Sequence, residues 1–87
     1  MKMTLILYTG SFEAGNVANE RLMRWSAIHP DIDVERRSVH DYPADVVRLG
    51  ITGVPALVVD GEVIAQGAPD LWLTDGFLEA LANRIAH

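Results

Sequence analysis

The stretch GITGVPALVVDGEVIAQG, residues 50–67, carries the strongest local folding signal in the chain. Two apolar runs flank the dipeptide Asp60-Gly61, which tolerates the positive φ angles of a type I′ turn. The pattern predicts a β-hairpin whose first strand follows Pro55.

Strand and helix patterns alternate on the N-terminal side of this hairpin. The run MTLILY, residues 3–8, is typical of a strand buried on both faces. Apolar residues then recur every three or four positions, which predicts an amphipathic helix from residue 12 or 13 to about His29, ended by Pro30. Its apolar stripe is Ala14, Ala18, Leu22, Trp25 and Ile28, and its solvent side is Asn19, Glu20 and Arg24.

The next two segments complete the first half of the predicted fold. IDVERRSV, residues 32–39, turns polar after Val34, as expected of a strand near a sheet edge. A strand, a helix and a strand of these lengths predict a right-handed unit with parallel strands. PADVVRLG, residues 43–50, predicts a short helix that begins at Pro43 and ends at Gly50.

The C-terminal segment TDGFLEALANRIA, residues 74–86, predicts a last helix that lies across the sheet. Thr74 or Asp75 is available as its N-cap. Its apolar face consists of Phe77, Leu78, Leu81 and Ile85. Just before it, Leu71, Trp72 and Leu73 are consecutive, so we expect at least one of them to face solvent or a partner.

Composition narrows the class of protein. The chain has 87 residues, a net charge of −5 and no cysteine. Its length predicts one domain, residues 1–87, and its few, scattered Lys and Arg residues argue against nucleic-acid binding. No apolar run approaches the roughly 20 residues of a membrane span, and the N-terminal run is too short for a signal peptide, so we expect no membrane association and a cytoplasmic location.

The absence of cysteine removes disulfides, thiolate nucleophiles and cysteine-based zinc sites together. The three histidines, His29, His40 and His87, do not have metal-ligand spacing, so we expect no metal site and no cofactor. We interpret His40-Asp41 and Arg36-Arg37 as solvated charges at a strand end.

Taken together, LILYT, GITGVPALVVDGEVIAQG and the later APDLW resemble the small glutaredoxins of the thioredoxin-fold superfamily. The resemblance covers nearly the whole chain. It implies an α/β, thioredoxin-like fold with the element order β-α-β-α-β-β-α and a four-stranded mixed sheet of strand order 2-1-3-4. It also implies a cis peptide bond between Val54 and Pro55, with the Val54 backbone available to an extended peptide or to glutathione.

The redox motif of that family is missing. Where glutaredoxins carry Cys-x-x-Cys, one register places Glu13 and Asn16, and the alternative register places Ala14 and Val17. No catalytic residue is therefore predicted, and an enzymatic activity is not expected. A carboxylate in the first turn of a helix satisfies free backbone N–H groups, so we interpret Glu13 as a helix cap rather than a catalyst.

The resemblance also predicts a candidate binding surface. It consists of Ser11, Phe12, Glu13, Gly15, Asn16, Gly53, Val54, Pro55, Gly67 and Asp70. Phe12 is the best candidate for an exposed apolar residue beside Pro55. Asp70 stands where glutaredoxins hold the amino end of glutathione, but it is also a candidate N-cap for the turn that carries Leu71.

The sequence thus predicts a non-redox, thioredoxin-like protein that binds another protein or an extended peptide. The alternative is a module that binds glutathione or another small anionic thiol, with chemistry that does not use cysteine. Pro69 weakens this alternative because it removes a backbone donor beside Asp70.

Overall fold

The computed structural model describes residues 3–10 and 13–86. Its elements are β1 (Met3–Thr9), α1 (Glu13–Ala27), β2 (Ile32–Ser38), α2 (Pro43–Leu49), β3 (Ala56–Val59), β4 (Glu62–Gln66), α3 (Pro69–Trp72) and α4 (Asp75–Ala86). Within the described ranges, no helix is both long and apolar enough to cross a membrane.

The four strands form one sheet in the order β2-β1-β3-β4. β1 pairs with β2 in parallel and with β3 antiparallel, and β3 pairs with β4 antiparallel. This confirms the predicted mixed sheet of order 2-1-3-4. At the tip of the β3–β4 hairpin, Asp60 and Gly61 have φ angles of 49° and 88°, as a type I′ turn requires.

The two faces of the sheet are covered unequally. We call the face under α1, α3 and α4 the three-helix face; its core includes Leu5, Leu7, Leu22, Leu57 and Leu78. We call the face under α2 the one-helix face; its buried residues are Tyr8, Ile51, Ala56 and Val58. None of the residues of α2 is buried, although Val46 and Leu49 pack against this smaller cluster.

Helix α1 ends two residues earlier than predicted, and Ile28 is not part of its buried stripe. The N–H groups of Ile28 and His29 bond to the carbonyls three residues back, at 3.3 and 3.0 Å. Such bonds tighten the last turn, so the side chain that follows Ala27 leaves the apolar face. Ile28 is 75% exposed.

Two polar residues also differ from the prediction. Asn19 was expected in solvent, but it is half-buried and its Oδ1 has no hydrogen-bond partner among the described residues. The reason is its place on α1, three residues before buried Leu22 and thus on the flank of the same face. Arg37 was expected to be a solvated charge, but its side chain is only 26% exposed and lies in a network with Tyr8 and Asp45.

The segment before α4 forms the short helix α3, which the sequence patterns did not predict. Asp70 is not its N-cap: Ala68 occupies that position, Pro69 begins the helix and Asp70 lies in the first turn. Leu71 is 83% exposed and Leu73 is buried, which confirms that one member of the apolar triplet faces solvent. Thr74 caps α4, because its Oγ1 accepts a hydrogen bond from Phe77 N–H at 3.2 Å.

Candidate functional site

The side chain of Gln66 holds the loop before Pro55 against the end of β4. Its Oε1 accepts hydrogen bonds from the N–H groups of Thr52 at 2.8 Å and Gly53 at 3.1 Å. The N–H of Gly67 donates to the carbonyl of Pro55 at 3.0 Å. The structure therefore brings the segment at residues 53–55 next to the segment that starts at Gly67.

We call the place where residues 53–55 meet the segment that starts at Gly67 the junction. One of its two segments needs a glycine. Gly67 has a φ angle of 87°, a conformation that other residues rarely adopt. A Cβ on Gly53 would lie 3.6 Å from the Cα of Gly67, an ordinary contact, so the two backbones run close together. The indole N–H of Trp72 donates to the Gly67 carbonyl at 2.8 Å and fixes α3 to the same junction.

Val54 lies at the centre of the loop, and its peptide bond to Pro55 is cis, as the resemblance implied. Its side chain packs against the cluster on the one-helix face. Neither its N–H nor its C=O forms a hydrogen bond with another residue in the described part of the chain. Because Ala56 begins β3 just beyond it, these groups stand at the end of a strand where an extended chain can add to them.

For the predicted site residues around the start of α1, the structure describes only some of the positions. Ser11 and Phe12 lie outside the described residues. Glu13 and Gly15 belong to the first turn of α1, which starts at the same end of the sheet as Pro55, because Tyr8 near the end of β1 pairs with Ala56. Asn16 is exposed, and within the described ranges no hydrogen bond joins it to the loops at Gly53 or Gly67.

Two residues at this surface were missed or only partly anticipated by sequence reasoning. Gln66 was not singled out, because its partners are 13 and 14 residues away and no local pattern marks such a bond. Leu71 was expected only as one of three candidates. It stands one residue after the exposed Asp70 and has a large apolar side chain that is mostly in solvent.

A polar network lies on the one-helix face next to the end of β1. The Tyr8 hydroxyl donates to Asp45 Oδ2 at 2.9 Å, and Arg37 Nη1 donates to the same oxygen at 3.1 Å. The hydrogen bond from Tyr8, followed by the nearby arginines Arg48 and Arg37, lowers the pKa of Asp45 despite the opposing effect of burial. Burial, followed by the bond to Asp45, raises the pKa of Tyr8.

Arg37 completes this network. Its guanidinium lies 3.1 Å from Glu35 and its Cζ stands 4.7 Å from the ring centroid of Tyr42. The hydrogen bond to Glu35, followed by the one to Tyr8, raises the pKa of Arg37. Since α2 has no buried residue, the bonds of Asp45 to Tyr8 and Arg37 are what fasten this helix to the sheet beyond its half-buried apolar contacts.

The chemistry available to the chain is limited by its residue types. The sequence contains no thiol. Within residues 3–10 and 13–86, no group of three or more His, Cys, Asp or Glu side chains is arranged to hold a metal ion. Among the described residues, the junction presents the Val54 peptide unit without a hydrogen-bond partner, an exposed leucine and one carboxylate.

Solved structures with the same architecture support this description. A designed protein is 23% identical, with a TM-score of 0.76 over 97% of this chain and 81% of its own. Mitochondrial thioredoxin 3 of Saccharomyces cerevisiae is 19% identical, with a TM-score of 0.70 over 90% of this chain and 78% of its own. The oxidised thioredoxin of Plasmodium falciparum is 14% identical, with a TM-score of 0.71 over 99% and 83%.

This chain is a thioredoxin-fold protein. No protein-family model matches the sequence, and no curated protein matches it either. The similarity to these solved structures therefore concerns the fold. The sequence contains no cysteine.

Proposed function

We propose that this thioredoxin-fold protein binds an extended segment of another protein at the proline-loop surface, defined as residues 53–55 and 67–71. The observation that carries the proposal is the peptide unit of Val54, which has no hydrogen-bond partner among the described residues. A peptide added beside a strand end satisfies such groups with its own backbone, and this mode of binding depends little on the sequence of the peptide.

The neighbouring side chains supply the selectivity. Leu71 is 83% exposed and contributes an apolar contact, which favours a peptide with an aliphatic or aromatic side chain at the matching position. Asp70 adds a negative charge at the same edge. We propose that residues at and before the start of α1 form the third side of the same binding surface. They are Ser11, Phe12, Glu13, Gly15 and Asn16.

The test starts from a random peptide library displayed on phage and selected on the immobilised chain. Enriched peptides are synthesised, and their binding sites are mapped by amide chemical shifts on the isotope-labelled protein. We expect the largest shifts at Gly53, Val54 and Gly67. A Leu71→Asp substitution should weaken binding by about tenfold or more, equivalent to about 1.4 kcal/mol.

Val47→Asp is the matched control. Val47 is 82% exposed, nearly the same as Leu71, but lies on α2. The proposal requires that this variant bind the selected peptides as the unsubstituted chain does. Equal weakening by the two variants, or shifts that avoid residues 53–55, would contradict it.

Glutathione is the competing ligand in the same assay. Calorimetry with millimolar glutathione should give no heat if the surface binds only extended protein segments. Saturable heat, together with displacement of the selected peptides, would favour the small anionic thiol instead. A protein that selects no peptide and binds no glutathione would not use this surface as proposed.

A further inference from the structure

A second apolar surface lies between the end of α1 and the first half of α4. It is a shallow groove of about 280 Å³, lined mainly by apolar atoms. Trp25, Leu78 and Ala82 form its floor, and Ile28, which is 75% exposed, stands at its side. The early end of α1 at Ala27 is what leaves Ile28 in solvent here, so the groove could not be read from the helical period.

The apolar part of the groove lies at the opposite end of α1 from Val54. Helix α1 starts at the end of the sheet where Pro55 lies and runs back to the opposite end. There, His29 C=O accepts a hydrogen bond from Ile32 N–H at the start of β2. His29 lines the groove and packs on Trp25 with a centroid distance of 4.7 Å. A ligand at this groove would therefore not compete for the unpaired peptide unit of Val54.

The edge of the groove is acidic. Asp75 and Glu79 lie one helical turn apart on α4 and both line it. The Asp75 carboxylate is paired with Arg21 at 2.9 Å, which joins α1 to α4 at one end. The Glu79 residue is exposed, and its carboxylate has no ion-pair or hydrogen-bond partner within the described ranges. The chain as a whole carries a net charge of −5, so no general excess of positive charge offsets this edge.

We propose that this groove binds a basic amphipathic helix of a partner protein. An aliphatic side chain of that helix would lie over Ile28 and Leu78, and a Lys or Arg would pair with Glu79. Helices bind to grooves in this way through side chains on one face, and the complementary charge sets orientation and association rate. The Glu79 carboxylate at the edge of a groove that also presents the exposed Ile28 is the juxtaposition that selects this partner.

Other occupants fit less well. A second copy of the chain would bring another net charge of −5 against the acidic edge. An anionic membrane surface would be repelled by the same carboxylates. The groove is shallow and just below the range of about 300–1,000 Å³ typical of small-molecule pockets.

The two tryptophans of the chain provide a direct test. The Trp25 indole lines the groove, whereas the Trp72 indole bonds to Gly67 at the proline-loop surface. The probe is a synthetic helical peptide with leucine on one face and lysine on the other, titrated into the isotope-labelled protein. We expect the Trp25 indole signal to shift and that of Trp72 to stay in place. The same peptide with glutamate for every lysine should leave both unchanged.

Glu79→Lys should weaken binding of the lysine peptide by about tenfold or more, since it replaces an attraction by a repulsion. Glu62→Lys changes the net charge equally at an exposed position on β4 and should leave the affinity within about twofold of the original. Ile28→Ser, at an exposed position outside α1, removes the apolar contact without changing the charge and should also weaken binding without loss of the fold.

Three results would overturn the proposal. One is equal binding of the lysine and glutamate peptides. Another is a shift of Trp72 in place of Trp25, which would assign the peptide to the proline-loop surface. The third is a concentration-dependent dimer, seen by sedimentation, that Ile28→Ser dissociates. None of these results contradicts the binding of extended peptides beside Val54, so the two proposals fail separately.

Discussion

The two faces of the central sheet are held by different kinds of interaction. On the three-helix face, leucines from β1, β3, α1 and α4 form a continuous apolar core. On the one-helix face, a small cluster around Tyr8 and Val58 is covered by α2, which buries none of its own residues. There, Tyr8, Arg37 and Asp45 supply hydrogen bonds where apolar area is short. The comparison teaches that helix α2, the single helix on its face, is attached to the sheet by polar contacts as well as by packing.

The largest expected effect comes from a cavity on the three-helix face. Leu22 is completely buried in α1, and Leu22→Ala should lower the free energy of unfolding by about 2–5 kcal/mol. Urea denaturation followed by circular dichroism measures the change. Met23→Ala, at the next position and 48% exposed, is the control and should have almost no effect. Similar losses for the two variants would mean that α1 does not bury the face described.

A matched pair on β3 compares the two faces directly. Val58 and Val59 are neighbours, 1% and 2% exposed, and point to opposite faces. Truncation to alanine removes two methyl groups, roughly 1.6 kcal/mol in each case before any cavity is counted. We expect Val59→Ala to cost more in urea denaturation, because the larger core around it collapses less completely than the thin layer around Val58. A larger loss of stability for Val58→Ala than for Val59→Ala would mean that the one-helix face is the more rigidly packed of the two.

The smallest of the three effects tests the polar network. Tyr8→Phe removes the hydroxyl that donates to Asp45 and accepts from Arg37, and it should lower stability at pH 7 by about 1 kcal/mol. The hydrogen bond from Tyr8 is the largest effect that lowers the pKa of Asp45. Its contribution to the free energy of unfolding is therefore fully present at pH values above the usual pKa of an aspartate. It should disappear as the pH falls through the lowered pKa and Asp45 takes up a proton.

The measurement is the stability difference between the variant and the unsubstituted protein from neutral pH to below pH 3. Thr4→Val, a similar loss of one hydroxyl at an exposed position on β1, serves as a control with no such pH dependence. A difference that stays constant into acid would show that Asp45 does not depend on Tyr8 for its charge.

Sequence reasoning was most successful where one short segment contains the whole signal. Asp60-Gly61 specifies its turn because only two residues need positive φ, and the cap at Thr74 needs only the helix that follows it. It was wrong at Ile28 because the exposure of that side chain depends on where the helix ends, which is decided by the tight turn before β2. It was wrong at Arg37 because the partners Tyr8 and Asp45 come from other elements.

The candidate surface shows the same division. The cis bond at Val54-Pro55 and the absence of thiols were available from the sequence and its resemblance. The role of Gln66 was not, because its side chain reaches backbone groups 13 and 14 residues away.

By itself, the sequence determined the hairpin, the alternation of strands and helices up to β4 and the absence of a thiol, since these follow from turn residues, local periodicity and composition. The strand order of the sheet came from the resemblance to glutaredoxins. Only the tertiary structure decided which polar groups find partners. Val54 finds no partner for its peptide unit among the described residues, Arg37 is half-buried in a polar network, and Ile28 and Leu71 remain exposed. The physical reason is that pairing and burial depend on distances between segments far apart in the chain, and local patterns do not encode those distances.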